Sequence, residues 1–195
     1  MKTLTSILAI VIIFLTCSTS YAQSDSAKMS QKALQYADSL VKTDAYENWP
    51  AYADLAPVSV IKFYGGKDGY LDHVRTARMR TLSTTLENYP QLQVINLMAT
   101  TDQWQCLIRK SWYFHKEDKK FHQVTYFLAQ SNDEGATWKI FDLSFNKIAN
   151  VIYIFPEVNI DMAIPEPSIL SEQEELAQQQ AETAAAGKNQ ASKKK

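Results

Sequence analysis

From Gln103 to Phe145 apolar and polar side chains alternate with a period of two, which a half-buried strand requires and a helix cannot reproduce. In the first segment Trp104, Cys106, Ile108, Trp112 and Phe114 share one face, and Gln105, Arg109, Ser111 and His115 share the other. The charged run Lys116 to Lys120 is expected to reverse the chain in water. The second segment, Phe121 to Gln130, carries Val124, Tyr126 and Leu128 on one face and Phe121 and Phe127 on the other, as a central strand should. Ser131 to Gly135 reads as a second turn, with Gly135 available for a positive φ. The third segment, Thr137 to Phe145, aligns Trp138, Ile140 and Asp142. An antiparallel meander follows, on which the rest of the chain must pack.

The N-terminus constrains destination. Met1 to Ala22 has one Lys2, an apolar core from Ile7 to Leu15 and a small-residue exit at Ser20-Tyr21-Ala22. That is the pattern of a cleavable signal peptide, too short for a stable membrane span, so the product is expected in the periplasm or outside the cell. A lipoprotein box at Cys17 is the rival reading. Thr16 weighs against it, because bacterial boxes want Gly, Ala or Ser before the cysteine. Cleavage removes Cys17 and leaves Cys106 alone, so an internal disulfide is excluded; on an apolar strand face its thiol reads as a small buried hydrophobe. Taking Lys2 from the formal charge of −1 leaves −2, and no clustered basic face offers itself to nucleic acid.

Upstream of the meander the signals are helical. After a flexible stretch over 23–29, Ala33, Leu34, Ala37, Leu40 and Val41 form a stripe that Ser30 could cap and Pro50 stops. Ala51 to Phe63 reads as two short helical pieces around Pro57. Gly65-Gly66-Lys67-Asp68-Gly69 lacks the spacing of a phosphate loop and reads as a turn, with Asp68 capping the next helix. That helix, to about Leu82, aligns Leu71, Val74, Arg78 and Leu82, with Arg75 and Arg80 pointing elsewhere. Arg78 inside an apolar stripe is either a structural group, a snorkelling guanidinium or an ion pair with the sheet for which Asp142 is a candidate partner, or an anion clamp in a pocket. Gln91 to Ala99 is a further strand, and the piece from Lys147 to Phe155 stops at Pro156. From about Ser171 the composition turns to Glu, Gln, Ala, Ser and Lys. The expected organisation is a signal at 1–22, a domain over 30–167 and a low-complexity, disordered tail over 168–195.

Helices first and four antiparallel strands after them define an α+β chain with helices on a curved sheet. Three spaced motifs sharpen this: Tyr52 to Pro57 leading to Phe63-Tyr64-Gly65-Gly66-Lys67; the Asn132-to-Trp138 turn followed by Asp142; and Phe155-Pro156-Glu157 before Asp161 and Ile164-Pro165-Glu166-Pro167. In these the chain resembles the nuclear transport factor 2-like, cystatin-like cone fold, and within it a group of small exported bacterial proteins of unassigned function. The resemblance implies a pocket between the helices and the concave sheet face. Relatives use such a pocket for ligand or partner binding, or for isomerase, lyase and cyclase chemistry, and many form homodimers through the outer sheet face.

The expected ligand pocket is lined by Arg78, Tyr64, Tyr126, Trp138 and Asp142. Asp142 is the one candidate general base, and it could equally be the structural partner of Arg78. His73, His115 and His122 offer no metal-ligand spacing, so neither a metal nor a cofactor is expected. The absence of a converging catalytic set favours a non-catalytic module that binds a small molecule or a protein partner. The alternative is an enzyme working through the pocket carboxylate.

Overall fold

A computed structural model describes residues 25–79, 85–178, 180, 181 and 183; Arg80, Leu82, the lysine-rich end and the expected signal segment over 1–22 with its Cys17 fall outside the described residues. Helix α1 runs over 25–45 and buries Ala33, Ala37, Leu40 and Val41. It has already begun before Ser30, so the expected cap at Ser30 gives way to helix, as does the expected flexible stretch over its described part, 25–29. Met29 supplies the reason: it packs on the core and against Gly135, so apolar burial continues one turn beyond the stripe.

Glu47 takes a positive φ of 54°, and Asn48 caps helix α2, Trp49–Leu55, which carries Pro50 in its first turn. Helix α3, Val58–Phe63, starts after Pro57, so the two short helices fall where that proline predicted them. Gly65 and Gly66, at φ 78° and 115°, turn the chain into helix α4, Lys67–Met79, with Asp68 in its first turn. A helix precedes this turn, not a strand, which removes the setting a phosphate loop needs.

The sheet contains β1 (Thr85–Leu86), β2 (Gln91–Ala99), β3 (Trp104–Lys116), β4 (Lys119–Ser131), β5 (Lys139–Asp142) and β6 (Ser168–Ser171), all paired antiparallel. β1 and β2 share one edge of β3, and β5 and β6 share the far edge of β4, so the sheet is four strands wide. The β3–β4 turn is tighter than five charged residues implied. Lys116 pairs with Lys119 across Glu117 and Asp118, both at positive φ, the geometry that matches strand twist in a two-residue hairpin. At the second turn Gly135 has φ 82°, as expected, and a Cβ there would lie 1.9 Å from the Met29 sulfur. A bulge between Val94 and Asn96 bends the β2 edge.

Register assigns the faces. Cys106, Ile108 and Lys110 of β3 lie with Ala129, Phe127 and Thr125 of β4 and with Ile140 and Asp142 of β5. This face meets the N-terminal helices, whose Asp44, Tyr52 and Tyr70 sit close enough to Asp142 to feel its charge. Leu107, Leu128 and Phe141 lie on the opposite face, where Phe141 meets Phe155 edge-on at 6.4 Å. A 3-10 turn, Leu143–Phe145, follows β5. A second 3-10 turn, Ile148–Asn150, and helix α5, Val151–Ile154, lead into the segment that covers this second face. Buried Gln105 pins that segment, donating to the Glu157 carbonyl and accepting from the Asn159 amide at 2.8 Å.

The structured chain does not stop at Pro167. β6 pairs with β4 over Phe121–Val124, and a helix over 172–178 brings Glu175 within 2.8 Å of His122 Nδ1, where it also accepts from the Tyr113 hydroxyl. Tyr113 stacks on His122 at 4.5 Å. The expectation of a loose tail is therefore corrected over 168–178: a polar helix with no apolar stripe docks here through Glu175, which lies against the His122 ring nitrogen and accepts from the Tyr113 hydroxyl. Among the described residues no helix is long and apolar enough to cross a membrane.

Candidate functional site

Two polar constellations lie around the helices. The first is closed. Lys110 points from β3 into the helix-covered face, and its ammonium meets Asp142 at 2.8 Å with both side chains nearly buried. Its Nζ also lies 4.5 Å from the Phe127 ring centre and 5.2 Å from that of Trp112. Asp142 further accepts from the Ser144 amide at 2.8 Å and from the Ser144 hydroxyl, so one carboxylate caps the 3-10 turn and neutralises a lysine. Asp44, at the end of α1, is desolvated and held above the usual carboxylate range; Arg78 and Lys110 offset part of that cost. Tyr52 and Tyr70 stack at 6.0 Å beneath these groups, their phenols pushed up by burial.

The ion pair expected between Arg78 and Asp142 is replaced by two others. The Arg78 guanidinium reaches Asp44 at 3.6 Å and Glu47 at 3.3 Å, and lies over Trp49 with Arg75 beside it. The pairing differs because Lys110 shares the Asp142 face of the sheet and reaches it across β4.

The five residues expected to line one pocket are dispersed. Trp138 is fully buried in the core, its indole Nε1 enclosed without an acceptor. Tyr126 is buried on the sheet face opposite Asp142, since it pairs with Arg109 while Asp142 pairs with Phe127. Arg78 stays at the α1–α4 junction. Of the five, Tyr64 lines a cavity.

That cavity, about 560 Å³, is the second constellation, a cleft between the α3–α4 corner and the stretch from Phe145 to Ile154. Tyr64 anchors its wall, donating to Asn146 Oδ1 at 2.7 Å and stacking on His73 at 4.4 Å. Phe63 meets Tyr64 edge-on at 5.1 Å, and the phenol of Tyr64 is raised by partial burial. Across the cleft stand Phe145, Lys147, Asn150 and Tyr153. Phe63 is 52% exposed and Tyr153 70%, so two aromatic side chains beside one cavity are left largely in water. Among the described residues no group of three or more His, Cys, Asp or Glu side chains could hold a metal ion.

Most of these groups were missed in the sequence. His73 lies off the α4 stripe and reads as surface. Lys147 to Phe155 reads as one apolar segment, whereas its helix buries Val151 and Ile154 and turns Tyr153 outward. Lys110 did leave a signal, as the lone cation in the apolar parity of Cys106, Ile108 and Trp112. Comparison of the chain with protein-family models, with curated proteins and with solved structures finds no match.

Proposed function

We propose that this chain is an exported, non-catalytic binding module of the nuclear transport factor 2-like cone type, and that its ligand is a small molecule held in the Tyr64–Tyr153 cleft. The observation that carries the reading is the cleft itself. Its volume of about 560 Å³ falls in the range of ligand sites, and aromatic walls with a few convergent polar groups are the composition such sites have. The order of helices before a bent antiparallel sheet supports the cone assignment, and the N-terminal pattern of Lys2, apolar core and small-residue exit supports export.

The state of Asp142 supports binding over catalysis. A general base must be able to take a proton from a bound molecule, and this carboxylate already accepts from Lys110 and twice from Ser144. To test the reading, purified protein is equilibrated with a small-molecule cell extract, separated by filtration, and the retained compounds are identified by mass spectrometry. Wild type should retain a compound that Phe63→Ala and Tyr153→Ala release. Retention no greater than that of heat-unfolded protein would refute it.

A further inference from the structure

The chemistry of the cleft narrows the class of ligand. None of the residues that line it is acidic. Lys147 brings an ammonium to its edge, and among the described residues this lysine forms no ion pair. The Asn146 side-chain oxygen is occupied by the Tyr64 hydroxyl, which leaves its NH₂ group as the free end. Asn150 adds a second amide, and although it stands at the start of α5 its side chain makes no capping bond. The charged content of the cleft is therefore positive and unopposed, with the NH₂ groups of Asn146 and Asn150 available as donors beside it, in a protein whose net charge is −1. The remaining lining, Phe63 and Tyr153 above all, offers flat aromatic faces.

We infer that the cleft takes a small organic anion, a molecule with an aromatic or alicyclic ring and one carboxylate or sulfonate group. The ring lies against Phe63 and Tyr153, and the anionic group meets Lys147 and the amides of Asn146 and Asn150. This deepens the small-ligand reading and rests on it. Anion and ring must come together in one molecule. A bare inorganic anion would meet one exposed lysine, a contact worth little in water, while a neutral ring would leave the donors unused.

Two fluorescent probes of the same ring system separate these elements: 8-anilinonaphthalene-1-sulfonate, which is anionic, and N-phenyl-1-naphthylamine, which is neutral. Each is titrated into wild type, Lys147→Gln and Tyr153→Ala, with circular dichroism to establish that every variant is folded. Both substitutions are at exposed side chains, so the fold should persist. The sulfonate should bind saturably and lose about fivefold in affinity with Lys147→Gln, while the neutral probe is unmoved by that change. Tyr153→Ala should weaken both, and added salt should weaken only the sulfonate. If Tyr153→Ala weakens both probes but Lys147→Gln moves neither, the cleft binds ligands and the anion assignment is wrong. If neither substitution affects either probe, or no probe binds, the cleft is not a ligand site and both readings fail.

Discussion

Lys110 and Asp142, one on β3 and the other on β5, provide the sharpest test of how the helix-covered face of the sheet is closed. At 2.8 Å, and in the effective dielectric that suits partly buried pairs, their attraction is about 6 kcal/mol before desolvation is charged against it. Desolvation of the two ions is of similar size, so the pair as a whole adds little net stability. Removing one partner is different, because the other charge stays enclosed: Lys110→Met leaves Asp142 with only the Ser144 donors, and Asp142→Asn leaves an ammonium against an amide. Each single substitution should cost roughly 3–5 kcal/mol. Lys110→Met/Asp142→Asn should cost less than the sum, since no buried charge remains and methionine still packs on the Phe127 and Trp112 rings. The coupling is expected at roughly 2–3 kcal/mol, the upper part of the range for residues in one network. Urea unfolding followed by tryptophan fluorescence reads it. With a slope of about 2 kcal/mol per M, each single variant should move the midpoint down by roughly 1.5–2.5 M, and the double variant should move it by about 1–1.5 M less than the two single shifts added together. Single variants costing under about 1 kcal/mol, or costs that simply add, would show that the pair is exposed enough for water to replace either partner, and the closed-site description would fall.

Three further outcomes follow from other contacts. Gln105→Leu removes the side chain that ties the Glu157 carbonyl and the Asn159 amide to the sheet; it should cost roughly 2 kcal/mol and speed hydrogen exchange selectively over 155–165, and uniform exchange across the chain would refute the pinning role. The Asp133 carboxyl, which accepts from Thr137 and Ser131, is held down from 3.8 to about 2. Its folded value lies below its unfolded one, so its contribution is complete above about pH 4 and lost as pH falls toward 2; the difference in urea midpoint between wild type and Asp133→Asn should shrink over that window, and a constant difference would refute the assignment. The Cys106 thiol, pushed up to about 12 by burial, should react with a disulfide reagent only as fast as the protein opens, so immediate labelling of the native protein would contradict its place in the core.

Legibility in the sequence followed the range of the interaction that decides each feature. Period-two alternation is local, and Cys106 and Ile108 do share one face of β3, but Gln105, Cys106, Leu107 and Ile108 are all buried, so the strand is covered on both faces there and not half-buried as the alternation implied. Pro57 and Gly135 are equally local, and their consequences appear where expected. The docking of 168–178 depends on Glu175 finding His122 and Tyr113, which come from another part of the chain, and neither the glutamate nor its neighbours carry a pattern that marks the pairing. Composition correctly described this segment as polar, but polarity excludes only apolar docking.

The dispersal of the expected lining has a more specific cause. Arg78 stands inside an apolar helix stripe and Asp142 aligns with Trp138 and Ile140 on a strand, so the sequence offers them together as one site. In the folded chain each is absorbed separately: Arg78 by Asp44 and Glu47, Asp142 by Lys110, Trp138 by the core. A buried charge must find a partner to repay its desolvation, so an intruder on a core face is consumed by the fold more readily than it is left for a ligand. Groups left for a ligand are those the fold does not need. Phe63, Lys147 and Tyr153 break no pattern, being ordinary surface residues of two separate short helices and the turn beside them, and their proximity exists only because the α3–α4 corner packs beside the stretch from Phe145 to Ile154. Residues free to bind are thus the ones least conspicuous to periodicity, and the exposed aromatic pair at this corner is a better guide to function than the buried charges.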